Sequence, residues 1–168
     1  MAPVGISVAN LKAHVQVLAG EIGERNVFRP RALRRAEEYI ERVWRAQGYE
    51  VVRQEYRVGG EQWANLEVTR RSRSKPGAMV LLGAHYDSVI GCPGANDNAT
   101  GVAALLEIAR SFTAGEPAAS VRFVAFVNEE PPFFKTAQMG SRVYAQMARA
   151  RGDDIRAMVS LETIGYYS

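Results

Sequence analysis

A chain of 168 residues with 47% apolar and 23% charged side chains has the composition of one globular domain with a buried core. Its net charge of +3 is too small for a nucleic-acid site, and its arginine-rich runs, RPRALRR (29–35) and RRSRSK (70–75), lack interleaved aromatics and read as solvated faces and a loop. The lone Cys92 excludes an intrachain disulfide, and no stretch approaches the ~20 apolar residues of a membrane span.

The N-terminus, MAPVGISVANLKAHVQVL, has no basic start followed by an unbroken apolar core, so no secretory leader is expected and a soluble, cytoplasmic chain is. Residues 7–22 place Leu11, Val15, Leu18 and Ile22 on one helical face, with Ser7 or Asn10 as caps and His14 beside the stripe as a half-exposed surface residue. A second helix over 30–47 opens at Pro30, buries Leu33, Ala36, Ile40, Val43 and Trp44, and ends at Gly48. The period then changes. Residues 49–58 and 63–70 read as two strands around a turn at Gly59-Gly60, and 71–77 as a loop. Buried strands are expected at 78–84, 121–127 and 155–161, alternating with helices over 98–113 and 137–151. Continuous apolar strands alternating with helices predict an α/β fold: a mixed, largely parallel central sheet with helices on both faces and the hairpin at one edge.

Ligands in open α/β sheets gather beyond the carboxyl ends of the strands. The three central strands exit into His85-Tyr86-Asp87, Asn128-Glu129-Glu130 and Glu162-Thr163, and Asp97 stands at the entry to the helix that follows the first of them. Carboxylates converging on one edge repel unless cations hold them together. Imidazole with carboxylates and no thiolate suits zinc, with manganese or cobalt as substitutes. His85 and Asp87, two apart in extended chain, point the same way, so Asp87 can take the second imidazole N–H and fix its tautomer; a plain turn residue is the alternative. Of the adjacent Glu129 and Glu130, one can ligate while the other serves as general base. Gly91, Gly94 and Gly101 allow tight loops around the site.

HYD at 85–87, PGANDNATG at 93–101, NEE at 128–130, MGSRVYA at 139–145 and GERN at 23–26 together resemble the dinuclear zinc aminopeptidase family, which includes bacterial leucyl aminopeptidases and has glutamate carboxypeptidase and the glutaminyl cyclases as relatives. The resemblance runs over essentially the whole chain. It implies a metal-dependent exopeptidase, most simply an aminopeptidase acting on peptides through a zinc-activated water. By the resemblance, His85 and Asp97 are ligands of one zinc, with Asp97 bridging to a second zinc held also by Glu130, and Glu129 is the general base. Glu162 falls where the family usually has an aspartate closing the second site, a longer residue whose metal distance differs.

The family closes its first site with a second histidine far downstream, whereas this sequence has only His14 and His85. Residues 1–168 are therefore expected to form a single domain lacking the family's C-terminal third, ending at LETIGYYS directly after a buried strand. An exposed sheet edge would invite pairing, so a homo-oligomer is expected. An impaired fragment acting as a metal-binding module, and glutaminyl-cyclase-like chemistry, are the alternatives. No nucleic-acid or membrane partner is expected.

Overall fold

The computed structural model describes residues 5–75 and 77–165; Met1–Val4 of the N-terminal reading and the last three residues of LETIGYYS lie outside the described residues. Five strands form one sheet: β1 (Val52–Val58), β2 (Glu61–Arg70), β3 (Met79–His85), β4 (Ser120–Phe126) and β5 (Ile155–Ser160), in the spatial order β1-β2-β4-β3-β5. β1, β2 and β4 pair antiparallel, while β4, β3 and β5 pair parallel. The sheet is mixed, as the strand pattern predicts, with the hairpin at one edge.

That hairpin turns at Gly59 and Gly60, with φ of 60° and 85°. Two consecutive left-handed residues match the twist of the flanking strands, and glycine adopts them without a Cβ clash.

Helix α1 (Val8–Val15) is capped by Ser7, whose Oγ accepts the Asn10 N–H at 3.3 Å. It continues as a π-helical stretch, Gln16–Ile22, that buries Leu18. Helix α2 (Pro30–Ala46) carries Pro30 in its first turn and buries Leu33, Ala36, Tyr39, Ile40 and Trp44. Helix α3 (Gly101–Ser111) buries Val102, Leu105, Leu106 and Ala109. These helices cover one face of the sheet, where they meet Leu66, Val68, Phe123, Ala125 and Val127. Helix α4 (Gly140–Arg151) covers the other face, packing Tyr144 and Ala148 on Leu81, Val124 and Phe126. Alternate residues of β4 thus feed opposite cores, the period-two geometry of a strand buried on both sides.

β5 departs from expectation. Its apolar run predicts a buried strand, but Met158 is 49% and Val159 45% exposed. Apolar content promotes burial only where something covers it. β5 pairs with β3 on one side alone, and among the described residues no element flanks its outer edge. No helix of the described residues is long and apolar enough to cross a membrane.

Candidate metal centre

Parallel pairing creates the site. β3 runs with His85 opposite Phe126 of β4 and Gly83 opposite Ser160 of β5, and the Leu161 N–H donates to Gly83 O at 2.8 Å. Three neighbouring strands therefore release their chains at one edge of the sheet. His85 ends β3, Glu129 and Glu130 follow β4, and Glu162 follows β5.

His85 and Asp87 are buried, at 3% and 2% exposure. Asp87 Oδ1 lies 3.4 Å from His85 Nδ1, which has no hydrogen-bond partner in acceptable geometry. The Asp87 carboxylate is instead engaged by backbone, accepting the N–H of Glu129 at 3.2 Å and of Glu130 at 2.9 Å. It clamps the exit of β4 to the exit of β3 and aims the glutamate pair. Sequence spacing does not reveal this role, because the donors are more than forty residues away.

Asp97 arrives on a short stretch, Ala95–Thr100, in which Asp97 and Asn98 leave helical geometry, with φ of −107° and −131°. Asn98, read from sequence as part of a helix entry, fastens this turn to the end of β5. Its Nδ2 donates to Leu161 O at 2.9 Å, and its Oδ1 accepts the Gly101 N–H at 3.1 Å. A side chain at Gly101 would collide with Leu161 O at 2.2 Å, so glycine is what lets α3 start against the β5 exit.

His85, Asp97 and Glu130 each present one ligand atom, and all three atoms lie within 4.8 Å of one another. His85 Nε2 is 3.0 Å from Asp97 Oδ1 and 3.8 Å from Glu129 Oε2. Glu162 is exposed and stands outside the triplet, although its charge reaches Glu129. His14 is elsewhere, its Nδ1 2.6 Å from the Tyr39 hydroxyl. Cys92 is exposed.

The donors fit a cation. Both nitrogens of His85, Asp97 Oδ1 and Glu130 Oε1 are buried atoms without a hydrogen-bond partner. Such groups cost free energy unless something pairs with them. Ligand atoms about 2.0–2.2 Å from a tetrahedral zinc stand roughly 3.3 Å apart, close to the Nε2–Oδ1 separation observed. The set of one imidazole and carboxylates is a zinc donor set.

The protons of the metal-free site tell the same story. Burial pulls the His85 imidazole down, but Asp87, Asp97 and Glu129 outweigh it and push it up to about 10. Burial, opposed by His85 but reinforced by Asp97, Asp87 and Glu129, pushes the Glu130 carboxyl up to about 7. Burial also raises Glu129, while the His85 imidazole, 3.0 Å away, holds Asp97 below the usual carboxylate range. Both His85 and Glu130 are raised on folding, so their protons stabilise the metal-free fold at low pH. That contribution fades as pH climbs through about 7 for Glu130 and about 10 for His85. Zinc competes with these protons. The rise in Tm on adding zinc to chelator-stripped protein is expected to be larger at pH 8 than at pH 6; equal increments in thermal scans would contradict this.

Comparison with known proteins agrees with the geometry. The model of "Peptidase family M28" matches residues 65–168, more than half of the chain. "Uncharacterized protein YfbL" of Escherichia coli K12 is 35% identical over 173 residues, covering 98% of this chain and 52% of that protein. An "Aminopeptidase" of Pseudomonas aeruginosa is 36% identical over 99 residues, 58% of this chain and 18% of its own. Among solved structures, the zinc aminopeptidase BSAP of Bacillus subtilis superposes with a TM-score of 0.85 at 13% identity, over 98% of this chain and 71% of that one. The chain thus spans about half the length of YfbL and less of the aminopeptidase. The shared fold, the matched segment and the strand-end donors it contains agree, and the chain belongs to peptidase family M28.

Proposed function

We propose that this chain carries the metal-binding and proton-transfer groups of a zinc-dependent exopeptidase that removes N-terminal residues from peptides. The observation that carries this reading is the division of labour at one strand edge. His85, Asp97 and Glu130 form a ligand triplet, while Glu129 stays outside it, 3.8 Å from His85 Nε2. When bound, zinc polarises a peptide carbonyl and lowers the pKa of water.

The protein's own groups do the rest. His85 Nε2, Asp97 Oδ1 and Glu130 Oε1 hold the ion. Glu162, exposed beyond β5, is the group that joins Asp97 and Glu130 if a second ion binds. Glu129 Oε2 takes a proton from the attacking water and returns it to the departing amine, and its burial-raised pKa suits both transfers. Asp87 holds the backbone of both glutamates in place. The surplus of carboxylate over cationic charge on this edge favours a free α-ammonium, and hence the first residue of a peptide. The P. aeruginosa relative's description as an aminopeptidase supports the same substrate class.

The test is a comparison of aminoacyl chromogenic amides with their N-acetylated counterparts, in the presence of zinc and after chelation. Cleavage of the free-amine substrates only, lost on chelation, is expected. Zinc binding with no turnover of either series would reduce the chain to a metal-binding module, and cyclisation of N-terminal glutaminyl peptides without hydrolysis would replace the reading with transferase chemistry.

A further inference from the structure

Arg25 is completely buried, yet it makes no hydrogen bond to a carboxylate. Its guanidinium is spent entirely on backbone carbonyls. Nε donates to Tyr86 O at 2.7 Å, Nη2 to Gly94 O at 2.9 Å, and Nη1 to Pro93 O and to Leu18 O and Gly23 O, the last two at 3.2 Å. Burying a guanidinium is costly unless its donors are satisfied, and here five carbonyls satisfy them.

Two of those carbonyls flank the ligands. Tyr86 directly follows His85, and Gly94 lies three residues before Asp97. Gly94 O also accepts the Ala99 N–H at 3.0 Å, closing the turn that contains Asp97. Gly94 is left-handed, with φ of +61°, and a Cβ there would sit 2.5 Å from Asp97 O and 2.6 Å from Ser88 Cβ. The rest of the loop is fastened separately, through Ser88 N to Arg25 O, Ser88 Oγ to Cys92 O and Asn26 Nδ2 to Ser88 O.

We propose that Arg25 is a positioning residue for the metal centre: its planar fork spans the carbonyls of Tyr86 and Gly94 and thereby sets the separation of His85 Nε2 and Asp97 Oδ1. A rigid fork with donors on three nitrogens can hold both ends of the 86–94 loop at once, whereas a lysine ammonium concentrates its donors at one point. The same guanidinium places a fixed positive charge near Asp87, Asp97 and Glu130; burial pulls its pKa down to about 10 while those three carboxylates oppose the shift.

The inference rests on the zinc-site reading, and the experiment separates the two. Zinc affinity is measured by competition with a chromogenic chelator, and coordination geometry by the visible spectrum of the Co2+-substituted protein, for the wild type, Arg25→Lys, Gly94→Ala and Asn26→Ala. Partners that orient metal ligands are worth roughly 10–100-fold in affinity. Arg25→Lys and Gly94→Ala are expected to lose zinc affinity by that factor and to shift the Co2+ bands. Asn26→Ala, which cuts the bond to Ser88 O in the middle of the loop and the local bonds to Glu24 and the Phe28 N–H but none to Tyr86 O or Gly94 O, is expected to lower Tm with affinity and spectrum unchanged. Wild-type affinity and spectrum in a folded Arg25→Lys or Gly94→Ala chain would overturn the proposal and leave the zinc reading intact. Failure of both variants to fold would make Arg25 a scaffold residue and overturn it too. A wild type that binds no zinc would sink both readings.

Discussion

Glu129→Gln is expected to cut turnover of aminoacyl amides by about 10²–10⁴-fold, the range a positioned general base supplies. The amide is nearly isosteric, so the fold and the bonds from its backbone N–H to Asp87 are retained. Because Glu129 lies outside the ligand triplet, zinc stoichiometry is expected to stay at the wild-type value. The substitution also removes one carboxylate from a crowded edge where Glu129 and Glu130 are both raised, so the metal-free variant is expected to unfold at a slightly higher temperature. Kinetics paired with metal analysis read both effects. A parallel loss of zinc would make Glu129 a ligand, and unaltered turnover would remove it from the chemistry.

Asp87→Asn carries the second large effect. Asp87 is buried and uses both oxygens, one for the N–H of Glu129 and one for that of Glu130. Asparagine offers one carbonyl oxygen, so one buried N–H loses its partner. That costs about 1–3 kcal/mol, enough to lower Tm by several degrees in a domain of this size. The released strand exit also lets the glutamate pair drift, so kcat is expected to fall more than KM changes, and zinc binding to weaken. Thermal scans and steady-state kinetics check this. Unchanged Tm and kcat would show that the clamp is dispensable.

Most of the site's composition was legible because strand ends in a parallel sheet have few places to go. His85, Glu129 and Glu130 are marked by apolar runs that stop abruptly at polar residues, and β3 and β4 pair in the register that brings those ends together, whereas Asp97 is marked by its place at the entry to the next helix. Gly59-Gly60 was legible for a local reason, since few residues other than glycine turn a hairpin at two consecutive left-handed positions. What escaped are interactions set by distant backbone. Asp87 is engaged by N–H groups of another strand, Asn98 by the end of β5, and Arg25 by carbonyls as far as 69 residues away. Nothing in the local pattern of GERN distinguishes a buried guanidinium from a solvated one. β5 is exposed where its apolar run alone predicts burial, because such a run records a tendency to be buried and not whether a neighbour covers it; the exposed sheet edge expected from the sequence is this strand's.

The central claim is that His85, Asp97 and Glu130 hold a zinc ion. The most direct measurement is anomalous diffraction at the zinc absorption edge from crystals of this chain grown with zinc. The expected result is a peak bonded by His85 Nε2, Asp97 and Glu130 at about 2.0–2.2 Å. A peak confined to other residues, or none with His85 Nε2 still in direct contact with Asp97, would contradict it.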